Sequence, residues 1–164
     1  MKTLNQYIKE KLIINKDYRD AHTLTPESFD KLLDIIEDRY EKLGPGTKQN
    51  PIDFNDIDVS NIDSFCNNRQ GIFAETKFKY IDISDWDVSN VYDMSNMFYR
   101  CEKLMTVGDL SNWDVSNVIS MYSMFYHCKR FACDLSDWNV SKVESHYYMF
   151  DGCPIKDEYK PKFK

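Results

Sequence analysis

Leu110-Ser-Asn-Trp113-Asp-Val115-Ser-Asn-Val118-Ile-Ser-Met121-Tyr-Ser-Met124-Phe125-Tyr-His-Cys128 is the middle copy of a pattern written three times in 164 residues. The copy before it runs Ile83-Ser-Asp-Trp86-Asp-Val88-Ser-Asn-Val91-Tyr-Asp-Met94-Ser-Asn-Met97-Phe98-Tyr-Arg-Cys101. The copy after it runs Leu135-Ser-Asp-Trp138-Asn-Val140-Ser-Lys-Val143-Glu-Ser-His146-Tyr-Tyr-Met149-Phe150-Asp-Gly-Cys153. The tryptophans fall 27 and then 25 residues apart, and Met97/Met124/Met149 and Cys101/Cys128/Cys153 keep those intervals. A period between about twenty and fifty residues marks a stacked solenoid, in which no repeat can bury its inner face alone.

Upstream of Ile83 the pattern is worn. Ile57-Asp-Val59-Ser-Asn-Ile62-Asp-Ser-Phe65 aligns with Trp86-Asp-Val88-Ser-Asn-Val91-Tyr-Asp-Met94 at an offset of 29. After Cys66 the register is lost in Asn67-Asn68-Arg69-Gln70-Gly71, which reads as a loop, and Phe78, Tyr80, Ile81 and Ile83 then read as a strand. Residues 80–84, 107–111 and 133–136 are predicted to form short parallel strands, one per repeat. The Met-Phe segments, such as 95–101, have the composition of a single helical turn or a short helix. Trp86, Val88, Val91 and Met94 alternate with Asp, Ser and Asn, which sends every second or third side chain inward.

Two helices are predicted ahead of the repeats. Leu4, Tyr7, Ile8, Lys11 and Leu12 form a narrow stripe at helical spacing, behind a Thr3/Gln6 capping box. In the second, Thr25 is the expected N-cap, Pro26 fits the first turn and Glu27 places negative charge at the positive end of the dipole. Phe29, Leu32, Leu33, Ile36, Tyr40 and Leu43 continue the stripe until Gly44-Pro45-Gly46 stops it. The chain thus divides into a helical hairpin cap over 1–46, about four repeats over 51–153 with the first degenerate, and a capping tail over 154–164 that lies across the last repeat.

Apolar content of 42% with 29% charged residues is ordinary globular composition, and the net charge is −6. Residues 51–153 hold eight Lys/Arg against sixteen Asp/Glu, so the repeat surface is acidic and repels phosphate backbones. Nucleic acid is therefore not an expected partner. No apolar run approaches the ~20 residues that a spanning helix needs. Lys9, Glu10 and Lys11 interrupt the place of a secretory h-region, so a cytoplasmic protein without membrane contact is expected.

Chemistry-bearing residues recur instead of converging. Cys101, Cys128 and Cys153 share one repeat position, Cys66 and Cys133 stand apart, and no close Cys-x-x-Cys pair is present, so free buried thiols are expected and no metal site. His22, His127 and His146 come from unrelated positions. Ser89, Ser116 and Ser141 recur as turn formers, not as a unique nucleophile. Asp58, Asp87, Asp114 and Asn139 form a column whose expected role is turn capping, with a calcium site as the competing reading. No catalytic constellation and no cofactor are expected. Three outward rows remain: Tyr92 with Ile119, Tyr122 with Tyr147, and Tyr99 with Tyr126. Tyrosine combines contact area with a hydroxyl, so these six are the candidate partner-binding residues; shielding of the core by ring-on-ring packing is the other reading.

The run Leu-Ser-Asn-Trp-Asp-Val-Ser-Asn-Val followed by Met-x-x-Met-Phe-x-x-Cys resembles the BspA-like repeat family, a bacterial branch of leucine-rich-repeat-type proteins, over 83–153 and more loosely over 54–82. The resemblance implies an α+β repeat fold, a short right-handed leucine-rich-repeat-like solenoid with parallel strands, used in protein recognition or in cell-surface adhesion. Met1-Lys2-Thr3, Tyr7-Ile8 and Glu10 resemble the capsid-targeting leader of internal head proteins of some large tailed phages, which would place the protein in a virion. The leading expectation is a non-enzymatic scaffold binding a partner protein; virion packaging and adhesion are the alternatives. Self-association through an exposed terminal repeat is left open.

Overall fold

The computed structural model describes residues 23–164. The helix α1, Phe29–Leu43, buries Leu32 and Ile36 against the first repeat. Its cap is Ser28, whose Oγ accepts from the Lys31 N–H, three residues later than the expected Thr25. Ser28 is extended, with φ −161° and ψ 165°, and its short side chain reaches back to an orphan donor of the first turn. At the other end Gly44, with φ 73°, donates its N–H to the Tyr40 carbonyl and ends the helix. The Arg39 guanidinium makes a bidentate pair with Asp56 at 2.6 and 2.9 Å and lies 5.0 Å from the Phe54 ring centroid. Tyr40 meets Phe78 edge to face. The first helix of the expected hairpin lies outside the described residues.

Regular strand is scarce. β1, Ile52–Asp53, pairs in parallel with β4, Ile81–Asp82; β2, Cys66–Asn67, pairs antiparallel with β3, Gln70–Gly71. A 3-10 turn, Asp157–Tyr159, is the last element. The leucine-rich-repeat-like solenoid with one parallel strand per repeat is therefore corrected: among the described residues there is one α-helix and two two-stranded sheets, one of them antiparallel. Of the three predicted strands, only Ile81–Asp82 forms within 80–84, and 107–111 and 133–136 hold none. Nor do the Met-Phe segments form helices.

The physical reason lies in the aspartates. Asp53, Asp58, Asp82, Asp87, Asp93, Asp109, Asp114 and Asp134, and Asn139 with them, each accept from the main-chain N–H two residues on. A local side-chain acceptor every few residues closes a turn and withdraws the N–H that a ladder would need. Contact between repeats is consequently made through single parallel bridges, Ser64 to Asp93 to Ser120 to Ser145, and through alternate amides. In the Met-Phe segments left-handed residues recur at two positions: Asn96, Ser123 and Tyr148 at φ 57°, 52° and 59°, and Glu75, Arg100, His127 and Gly152 at 60°, 55°, 55° and 70°. Each sits between turns and breaks the helical path that composition alone suggested.

Equivalent residues nevertheless meet. Phe73, Phe98, Phe125 and Phe150 form a continuous column of near-parallel rings with centroids 5.4, 5.3 and 5.8 Å apart. Trp113 lies parallel to Trp138 at 6.2 Å. Each indole N–H donates to a main-chain carbonyl of the repeat before it: Trp86 to Phe54, Trp113 to Ile83 and Trp138 to Leu110. A buried indole thus finds its acceptor in its neighbour, so its full aromatic area is buried without an orphaned donor. The worn first repeat rejoins the pattern: the β2–β3 hairpin extrudes four residues, 67–70, after which Ile72-Phe73 takes the places of Met97-Phe98. At the far end the tail returns to the last repeat, with the Tyr159 carbonyl accepting from the Leu135 N–H and the Phe163 ring 4.0 Å from His146.

Candidate functional site

The alternate-residue amides that join the repeats also fix where the tyrosines stand. Met94, Asn96, Phe98 and Arg100 donate to the carbonyls of Ser120, Tyr122, Met124 and Tyr126. Met121, Ser123, Phe125 and His127 donate in the same way to Ser145, Tyr147, Met149 and Asp151. With the main chains locked at this spacing, side chains at equal positions lie one repeat apart. Tyr99 and Tyr126 are held parallel at 5.2 Å, half-buried, and Tyr122 meets Tyr148 edge to face at 5.9 Å.

These four rings line one open groove of about 430 Å³ together with Arg69, Asn96 and Ser123. A second, more polar depression of about 600 Å³ shares Arg69, Asn96 and Tyr122 and continues over Asp93, Ser95, Ser120 and Ser145. There the Ser95 and Ser120 hydroxyls touch at 2.7 Å. Arg69 stands at the turn of the β2–β3 hairpin in the left-handed region, φ 69°, and its carbonyl accepts from the Asn96 amide at 3.2 Å. No carboxylate pairs with its guanidinium among the described residues. The Cys66 thiol at the base of the hairpin is pushed up, first by burial and then by the charge of Asp93, so it is protonated at neutral pH.

The six sequence-predicted residues thus divide. Tyr99, Tyr122 and Tyr126 come together in the groove. Tyr92 and Ile119 stand outside it, exposed, and are joined through the Ile119 N–H to the Tyr92 carbonyl. Tyr147 also stands outside it, at 69% the most exposed large apolar residue among those described, beside His146. Sequence reading missed Tyr148 and Arg69. Tyr148 stands where earlier repeats have Asn96 and Ser123, so no row of like residues pointed to it. Arg69 lay in the stretch read as a loop, and only the hairpin register brings it to the rings.

Among the described residues no cluster of three or more His, Cys, Asp or Glu could hold a metal ion. The column Asp58, Asp87, Asp114 and Asn139 caps its own turns, each accepting from the serine two residues on. The five cysteines are free thiols. Cys101 and Cys128 donate to the Phe73 and Phe98 carbonyls of the preceding repeats at 2.9 and 3.0 Å, and burial pushes both thiols up, Cys101 to about 11. Among the described residues no helix is long and apolar enough to cross a membrane. The leader-like residues within 1–10 lie outside the described residues.

One family model, described as a Mycoplasma protein of unknown function, DUF285, matches residues 45–160. That span takes in every repeat and the hairpin. No curated protein and no solved structure matches the chain.

Proposed function

The chain belongs to the DUF285 family, and from that premise we propose that it is a non-enzymatic recognition module that binds a partner protein through the tyrosine groove. The observation that carries this reading is the gathering of Tyr99, Tyr122, Tyr126 and Tyr148 around Arg69, a cation with no carboxylate partner among the described residues. Four rings preset by the repeat spacing offer contact area at low ordering cost, and a guanidinium offers a directional anchor; recognition surfaces are enriched in these residue types. The resemblance of the repeat motif to BspA-like proteins supports the same reading. The acidic surroundings, sixteen carboxylates against eight cations over residues 51–153, favour a partner whose rim is basic and an association that weakens with salt.

Capture of partners from the native host, with the wild type beside a Tyr99→Ala/Tyr126→Ala double variant and an Arg69→Ala variant, tests the reading. Loss of the same captured protein from both variants, with unchanged thermal unfolding of each, is the expected result. Retention of that protein by folded variants would remove the groove as the binding surface.

A further inference from the structure

The pattern of donated amides stops at the last repeat, whose own donors meet no acceptor among the described residues. In the two repeats before it the row at the Met-Phe segment is satisfied by carbonyls of the next: 94, 96, 98 and 100 by 120, 122, 124 and 126, and 121, 123, 125 and 127 by 145, 147, 149 and 151. The equivalent donors of the last repeat are the N–H groups of His146, Tyr148, Phe150 and Gly152. None of the four has a hydrogen-bond partner among the described residues. The tail does not supply one. It places Phe163 against the His146 ring and the Lys160 ammonium 5.8 Å from the Phe150 ring, so it covers side chains and leaves the main-chain row open. Tyr148 is 56% exposed beside this row, and Asp151 and Gly152 are exposed as well.

We infer that this row is a docking edge for a segment of another polypeptide carrying the same Met-Phe repeat motif, which would add one further repeat by main-chain pairing. The identity of the occupant follows from the molecule itself. Two internal rows of identical spacing are filled by such a segment, with carbonyls two residues apart and left-handed residues at the second and last donor positions, as at Ser123 and His127. A straight strand lacks that bend, so an ordinary edge-pairing strand fits poorly; a chain able to place small or polar residues in the left-handed region fits well. This edge goes beyond the tyrosine groove, for it reads backbone where the groove reads side chains.

Amide hydrogen exchange on the labelled full chain, with and without a synthetic peptide of residues 115–127, tests the inference. In the free protein the amides of 146, 148, 150 and 152 are expected to exchange faster than those of 121, 123, 125 and 127. Peptide at millimolar concentration should slow the first set by roughly tenfold or more and leave the second unchanged, since protection follows the added hydrogen bonds. A peptide of the same composition in scrambled order should slow nothing. Amides already protected in the free chain would show that another part of the chain occupies the edge. That result, no slowing by the peptide, or equal slowing by the scrambled one would each overturn the inference. The Tyr99→Ala/Tyr126→Ala protein keeps all four donors, so failure of the groove and failure of the edge are separate results.

Discussion

Trp113 shows how one residue serves two repeats. Its ring is 4% exposed and parallel to Trp138, while its indole N–H reaches back to the Ile83 carbonyl at 3.2 Å. Truncation removes aromatic burial, a ring contact and a hydrogen bond at once, so Trp113→Ala is expected to cost about 3–5 kcal/mol by urea unfolding. Trp113→Phe keeps most of the apolar area and loses the indole bond, so a smaller loss is expected; losses equal to those of Trp113→Ala would assign the cost to the indole bond and not to the buried ring area. The twenty-odd-residue spacing of the tryptophans made these neighbours legible in the sequence. The carbonyl that each indole selects was not legible, because it belongs to a residue of no fixed type: Phe54, Ile83 or Leu110.

At the scale of the element, the sequence misled. Residues 80–84, 107–111 and 133–136 read as strands, yet each holds an Asp followed two places on by Ser, and that pair closes a turn. The bond is present in the sequence as a pattern, but periodicity weighs side-chain burial and is blind to which backbone N–H has been taken. The carboxylates respond accordingly. Asp87 and Asp114 are held below the usual range first by the serine hydroxyl and then by the serine N–H, and Asp109 and Asp134 by the N–H first. A folded-state value below the unfolded one means a stabilisation that is complete above the unfolded carboxylate range and is lost as pH falls through the folded value. Unfolding in urea is therefore expected to become easier below about pH 4. Asn139 shows that an amide oxygen can hold the same turn, so replacing Asp87, Asp109, Asp114 and Asp134 by Asn should leave the protein folded at pH 7 and flatten the acid limb. An acid limb as steep as that of the wild type would assign the loss to other groups. The helix α1 was read correctly in its glycine stop and in its apolar stripe up to Tyr40, missed at Leu43, which is 62% exposed, and was read three residues early in its start. Thr25, Pro26 and Ser28 all carry start signals, and only geometry decides among them.

Across the whole molecule, Cys101 and Cys128 report on how the repeats come apart. Both are fully buried in the column that follows the phenylalanines, and their thiols are bound to carbonyls of neighbouring repeats and pushed up by burial. The thiolate is the reactive form, so alkylation at pH 8 requires opening of the core, whereas half-buried Cys66, Cys133 and Cys153 need only local motion. Mass spectrometry during a timed alkylation should show the latter three modified first. Cys101 and Cys128 should follow together, at a rate that rises with urea; early modification of either would mean that its repeat opens alone. The tyrosine groove was half visible in the sequence, since rows of like residues betrayed Tyr99, Tyr122 and Tyr126. Tyr148 and Arg69 depend on a bend and a hairpin that the pattern does not encode.

That hairpin has one more implication. Between Phe65 and Ile72 the chain carries four residues more than the corresponding interval between Met94 and Met97, yet Ile72-Phe73 settles on Met97-Phe98 without a slip. Surplus length is looped outward at this corner and the apolar interior does not register it. The corner is thus a natural splice point: foreign sequence grafted between Asn68 and Arg69 would be displayed at the lip of the aromatic cleft while the stacked interior keeps its register.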